Sequence, residues 1–154
     1  MIKAWRIVKA KHADAALTGA GCQFASGRWH DLMVPVVYCS DSQALAVLET
    51  FVHVLSHAKH IQYVAFELAV PQVLIVDVIS IAALPEKWRQ QPAGAATQKI
   101  GSAWVRSQAS AVLRVPSAIA PAGSNYLLNP HHPDFRRIKI GGAQAFSFDS
   151  RLWK

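Results

Sequence analysis

Cysteine is scarce in this chain of 154 residues: Cys22 and Cys39 are the only two. Two cysteines cannot staple a small secreted scaffold, so apolar packing has to hold the fold, and a reduced pair in a cytoplasmic setting is expected. Charge is also sparse, at 16%, and the acidic share is the smaller one, with 9 Asp and Glu against 16 Lys and Arg. No apolar run is long enough for a membrane span. The longest apolar region, Leu68 to Leu84, is broken by Pro71, Gln72, Asp77 and Ser80, whereas a span needs about 20 largely apolar residues. The opening Met1-Ile2-Lys3-Ala4-Trp5-Arg6 has no apolar leader segment, so no secretory signal is expected. A glycine-rich phosphate loop of the P-loop or Rossmann type is missing, and so is Gly-x-Ser-x-Gly. These absences argue against a disulfide scaffold, a membrane protein, a P-loop NTPase and an α/β-hydrolase.

What remains is apolar and basic. Hydrophobic residues make up 52% of the chain, enough for a real core in one domain spanning residues 1–154. The net charge of +7 favours anionic partners. The basic residues are scattered, with Arg136-Arg137-Lys139 the densest group. That distribution suits an anionic small ligand or an acidic protein at least as well as a nucleic-acid stripe.

The periodicity predicts a strand over Met1 to Ala10 that bends into a short helix near His12 to Leu17 and ends at Gly19-Ala20-Gly21. A buried strand is predicted over Val34 to Cys39. Ser40-Asp41-Ser42-Gln43 then reads as a capping box with Ser40 as N-cap, opening a helix to about His57. On that helix Ala44, Leu45, Val47, Leu48, Phe51, Val52, Val54 and Leu55 form an apolar arc expected to face the core, with Glu49 just past its edge. Strands are predicted over Ile61 to Val70, Val73 to Ile79, Ala111 to Val115, Phe135 to Ile140 and Ala145 to Phe148. A loop, with or without a short helix, is predicted over Leu84 to Gly94. A helix weakened by Gly101 is predicted over Ala95 to Ala109. Strands clustered after residue 60 without regular helical crossovers point to an α+β fold rather than a doubly wound one.

Three residue types converge between positions 28 and 49. Arg28, after Ser26-Gly27, offers a planar fork suited to phosphate. Tyr38 ends a buried strand and offers a flat ring. Glu49 stands at a core boundary, where a carboxylate is partly desolvated yet reachable. Alone, each also has a structural explanation: a surface arginine stacked on Trp29, a core tyrosine, a helix-flank carboxylate paired with a base. Glu49, His53 and His57 recur every four residues and share a helix face, but the spacing is not that of a His-Glu-x-x-His metal site, and no metal is expected. His131-His132 before Pro133 reads as a turn. Ser117, just after a strand, reads as a positioning hydroxyl or a turn serine, since no Asp/His pair accompanies it as a nucleophile. Asn125 and Asn129 bracket an apolar step and read as amides for a ligand's polar edge, or as turn formers before Pro130.

Taken together, Trp5-Arg6, Gly27-Arg28-Trp29, Val36-Val37-Tyr38, Ala46-x-x-Glu49, Val115-Pro116-Ser117-Ala118, Asn125 to Pro130 and Phe148-Asp149-x-Arg151-Leu152 resemble the RES domain, a family named for its Arg, Glu and Ser. Its members commonly carry Gly-Gly before the Arg and a further glycine after the Trp. Here Ser26 precedes Gly27, and Asp31-Leu32-Met33-Val34 fills the second place. The resemblance implies a mixed, strand-rich core like that of diphtheria-toxin-type ADP-ribosyltransferases. It implies the toxin half of a type II toxin–antitoxin pair, neutralised by an antitoxin with an Xre-like helix-turn-helix region, with a homodimer as one possible state. It implies NAD+ as substrate, with loss of nicotinamide by hydrolysis or phosphorolysis, or transfer of ADP-ribose to a protein. Carried over by motif, Arg28, Tyr38, Glu49 and Ser117 are the implied catalytic residues. Arg6, Arg28, Tyr38 and Asn129 are the implied NAD contacts, with Ser117 expected to hold the nicotinamide or ribose.

Overall fold

Strand pairing across long sequence distances organises the molecule. In the computed structural model, which describes residues 1–55, 58–78 and 80–153, β1 (Ile2–Lys9) and β3 (Tyr63–Val70) run antiparallel along their whole length, from Ile2 opposite Val70 to Lys9 opposite Tyr63. The other strands are β2 (Val37–Ser40), β4 (Ile75–Asp77), β5 (Val112–Pro116), β6 (Ser124–Leu128), β7 (Lys139–Ile140) and β8 (Gln144–Phe146). Their order is β4-β5-β6-β2-β1-β3-β7, with β8 also on β3. Among the described residues only β4 and β5 pair in parallel, so the sheet is mixed. Among the described residues two α-helices, α1 (Gln43–Phe51) and α2 (Ala95–Ser107), and several 3-10 turns complete an α+β architecture.

Both sheet faces are covered, and the period-two geometry of the strands shows it. Val112 and Leu128 join Val37, Leu68 and Val70 in one cluster, while Leu113, Val115 and Leu127 turn to the other face against Trp29, Trp88 and Trp104. Full burial of side chains such as Leu68, Leu127 and Leu128 contributes about 1.5–3 kcal/mol each. A third cluster joins Ile7, Ala46, Tyr63 and Ala65 beneath α1. Phe51 at the end of α1 meets Phe148 and Trp153 edge-on, at ring distances of 5.3 and 5.2 Å.

One seam of the sheet is open. β1 meets β2 at a single register pair, Trp5 opposite Ser40. Arg6 spans the gap instead: its Nη1 donates to the Tyr38 carbonyl at 2.8 Å and its Nε to the Ala16 carbonyl at 2.7 Å. The cleft described below lies along this seam.

Several elements differ from expectation. The strand β6 takes the place of the turn expected around Asn125: it pairs with both β2 and β5 and is central. Ser42, not Ser40, caps α1, accepting from the Leu45 amide at 3.1 Å. Ser40 lies in β2, and its hydroxyl donates across the strands to Asn125 Oδ1. The helix stops at Phe51 rather than near His57, because His53 and Val54 return to three-residue bonds with Thr50 and Phe51; His57 lies outside the described residues. Of the expected apolar arc only Leu45 is buried, with Ala46 from outside the arc beside it; Leu48, Val52 and Leu55 are exposed. Strand β4 ends at Asp77, and Ile79 lies outside the described residues. The segment expected as a strand from Phe135 is a 3-10 turn, Pro133–Arg137, started by His132 accepting from the Asp134 amide, and only Lys139–Ile140 is extended. No helix among the described residues is long and apolar enough to cross a membrane.

Candidate active site

The cleft has a volume of about 890 Å³ and is lined along the open seam by Trp5, Arg6, Tyr38 and Ser40, with Arg28 on one side and Glu49 on the other. That size falls in the usual range for small-molecule and cofactor sites.

Glu49 reaches the cleft from α1, and its carboxylate is held from one side only. Ser117 Oγ donates to Oε1 at 2.7 Å and Asn125 Nδ2 donates to the same oxygen at 2.6 Å. No hydrogen bond from the described residues reaches Oε2. Charge-assisted bonds of this kind are short and strong, so one oxygen is anchored and the other is presented. Ser117 is wholly buried. Its hydroxyl also accepts from the amides of Ile119 and Ala120 at 3.1 Å. It is at once a turn serine and the residue that aims Glu49, and it meets the cleft through that carboxylate rather than by direct exposure to a ligand. Asn125 was read in sequence as an amide for a ligand's polar edge or as a turn former; its place beside Glu49, on a central strand, needed β6 to be recognised.

Arg28 sits in a tight turn closed by Gly27 N–H donating to the His30 carbonyl at 3.1 Å. Helix α2 grips this turn at three points. Gln98 Nε2 donates to the Gly27 carbonyl at 3.0 Å, and Ser102 Oγ accepts from the Asp31 amide at 2.9 Å. Gly101 lies so close to Trp29 that an added Cβ would stand 1.7 Å from its carbonyl oxygen. The glycine that weakens the helix by propensity is thus required by the approach of the turn. Arg28 itself donates Nη1 to the carbonyls of Trp88 and Gln90, both at 2.8 Å, and Nη2 to Gln91 Oε1 at 2.6 Å. These bonds tie down the segment 85–92, whose far side is tied by Arg89 Nε donating to the Ala118 carbonyl at 2.9 Å. The segment forms a strap between the two walls of the cleft. Burial and the charge of Arg89 lower the Arg28 pKa, while Glu49 and Tyr38 oppose the shift. All three expected residues therefore share one electrostatic neighbourhood.

Tyr38 lines the cleft and stays protonated: burial pushes its phenol well above the ordinary value, against the Trp29 amide and the Arg28 charge. Its hydroxyl accepts from the Trp29 amide at 3.2 Å and lies 2.6 Å from His30 Nδ1. Arg6 lies along the cleft as well, held by backbone carbonyls, with its pKa lowered by burial. Cys39 beside it has a thiol pushed up to about 12 by burial, which keeps it unreactive. Asn129 is not brought to the site. It is fully buried, its Oδ1 accepting from the His131 amide and its Nδ2 facing the Val105 carbonyl. His53 lines the cleft rim, and among the described residues no group of three or more His, Cys, Asp or Glu is placed to hold a metal ion.

Comparisons with known proteins bear on the family and the fold. Residues 3–149 match the family model described as RES domain. A protein of Sphingobium sp. (strain YBL2) named Prs ADP-ribosylating toxin is 38% identical over 152 residues, covering 96% of this chain and 94% of its own. Toxin Res of Photorhabdus laumondii subsp. laumondii is 36% identical over 151 residues, covering 97% and 96%. Among solved structures, the Mycobacterium tuberculosis MbcT–MbcA toxin–antitoxin complex contains a chain that superposes with a TM-score of 0.76, over 99% of this chain and 86% of that one. At 16% identity that likeness speaks to the fold. With nearly its whole length matched, the chain belongs to the RES domain family.

Proposed function

We propose that this chain is the toxin of a type II toxin–antitoxin pair and breaks the nicotinamide–ribose bond of NAD+. The observation that carries the reading is Glu49: one carboxylate oxygen is fixed by Ser117 and Asn125, the other is presented to a cleft that also holds Arg28 and Tyr38. Cleavage of the C1′–N bond builds positive, oxocarbenium-like charge on the ribose, and a fixed carboxylate beside it stabilises that charge without reorganising. The electron pair of the broken bond leaves with nicotinamide, which departs neutral from a cationic ring and needs no strong acid. Arg28, with donors beyond those on the strap, suits the pyrophosphate, and the Tyr38 ring suits a flat heterocycle. With water or phosphate as acceptor, an acceptor oxygen forms the new bond to the same ribose C1′ and its proton is released. On this reading the sheet is a variant of the ADP-ribosyltransferase core, the cell compartment is the cytoplasm, and an acidic antitoxin surface with an Xre-like helix-turn-helix region meets the basic chain.

Water or phosphate as acceptor gives NAD+ hydrolysis or phosphorolysis. The name of the Sphingobium relative favours a second reading, transfer of ADP-ribose to a protein. Purified protein incubated with NAD+, with and without phosphate, followed by product identification, tests the first. Free ADP-ribose or its 1″-phosphate supports it; intact NAD+ alone, with a discrete labelled band when labelled NAD+ is added to a lysate, supports transfer. Intact NAD+ in both experiments sinks both.

A further inference from the structure

His30 is buried, with 7% of its surface exposed, yet both ring nitrogens have polar partners. Nε2 lies 3.2 Å from the Ala25 carbonyl, and Nδ1 lies 2.6 Å from Tyr38 Oη. A carbonyl oxygen only accepts, so Nε2 carries the proton. In the neutral ring Nδ1 is then an acceptor, and the Tyr38 hydroxyl must donate to it. The Trp29 amide donates to the same hydroxyl oxygen, and Gly27 packs so tightly here that a Cβ would stand 2.6 Å from both Tyr38 Oη and His30 Cε1. Ala25, His30 and Tyr38 thus form a directed chain of hydrogen bonds, and His30 belongs to the same turn that carries Arg28.

We propose that His30 is a positioning residue of the cleft: as a neutral imidazole it accepts the Tyr38 hydroxyl proton, fixes the phenol against the Arg28 turn, and so holds the ring and the cation of the ligand site in one register. Protonation of His30 would make Nδ1 a donor, and the phenol proton would lose its acceptor. Tyr38 Oη would then accept from both His30 and Trp29, and its own proton would have to turn elsewhere. The charged groups that bear on the pair are Asp31, beside His30, and Arg28, beside Tyr38. Strand β2 contributes the phenol itself, and α2 contributes the neutral Gln98 and Ser102. Burial lowers the His30 pKa below 6.5, against the Ala25 carbonyl and Asp31. The neutral, accepting form is therefore favoured at pH 7 and is lost as pH falls through the lowered value.

The inference rests on the NAD+-cleaving reading for its kinetic arm, and a second arm keeps it independent. In the kinetic arm, His30→Leu is expected to raise KM for NAD+ about tenfold, the loss of one bond to a binding group, with kcat within about threefold. In His30→Asn the side-chain oxygen stands near the place of Nδ1 and does not titrate. That variant is expected to recover most of the loss at pH 7 and to flatten the rise in KM expected of the wild-type protein as pH falls through the His30 transition. A wild-type KM in His30→Leu, or an unaltered acid limb in His30→Asn, overturns the proposal. In the second arm, imidazole nitrogen-15 spectra across pH 8 to 5 should show His30 as the Nε2–H tautomer, with an Nδ1 signal that moves in Tyr38→Phe. An Nδ1–H tautomer, or indifference to Tyr38→Phe, overturns it even if the protein leaves NAD+ intact, an outcome that would instead count against the substrate reading.

Discussion

Glu49→Gln separates the charge of the site from its architecture. The network dictates how the amide must sit. Ser117 Oγ and Asn125 Nδ2 both donate to Oε1, so the glutamine carbonyl oxygen has to occupy that place and the NH2 group falls where Oε2 was. The cleft would then meet a neutral donor where it now meets an anionic acceptor. Loss of a fixed group that stabilises transition-state charge costs about 2.7–4 kcal/mol, or about 10²–10³ in kcat. Folding suffers less. Two charge-assisted bonds become neutral ones, a change of roughly 1 kcal/mol each, and for a chain of this size about 2–4 °C per kcal/mol in Tm. The assay is initial-rate NAD+ consumption over a range of NAD+ concentrations, with a thermal melt on the same preparation. A kcat fall of at least about 100-fold, KM within about threefold and a melt within about 10 °C of the wild type is the expected set. A kcat within tenfold of wild type in a folded protein would refute the role given to the carboxylate.

Arg28→Lys keeps the charge but replaces a fork that holds three acceptors with a single ammonium. It is expected to loosen the strap, seen as faster amide hydrogen exchange at residues 88–91 than in wild type, and to weaken NAD+ binding by about tenfold or more. Unchanged exchange there would show that the strap does not depend on Arg28. Gly101→Ala places a methyl into the Trp29 carbonyl, and the turn or the helix must shift. A loss of about 3 kcal/mol or more in urea unfolding is expected, and a variant as stable as wild type would show that α2 and the turn do not meet as closely as described.

Arg28, Tyr38 and Glu49, which line one cleft, were legible in sequence as a group for a physical reason: each interrupts a local pattern that would be satisfied by an apolar or neutral residue. The long strands β1 and β3 were legible because each is an eight-residue run rich in β-branched, aromatic and other apolar residues without glycine or proline. Strand β6 was not. It begins with two polar residues, Ser124 and Asn125, the second of which lines the cleft, and polar residues ahead of Asn129-Pro130 look like turn chemistry. The spacing Ser40-x-x-Gln43 favours Ser40 as the cap on paper; its place in β2, with its cross-strand bond to Asn125, leaves the cap to Ser42. The end of α1 carries no glycine or proline, so nothing local announces it. His30 went unmarked because its partner Tyr38 is brought to it by the return of the chain into β2, a tertiary fact without a spacing rule.

The anchoring of Glu49 has a consequence for synthesis. Ser117 follows it by 68 residues and Asn125 by 76. Strand β6 also enters the sheet between β5 and β2, so the centre of the sheet closes only after residue 128 is available. Pairings of such sequence separation are late and slow to form. A ribosome making this chain therefore carries the carboxylate through the next 68 residues without the hydroxyl and through the next 76 without the amide that aim it, and the cleft is unassembled until β6 has been made.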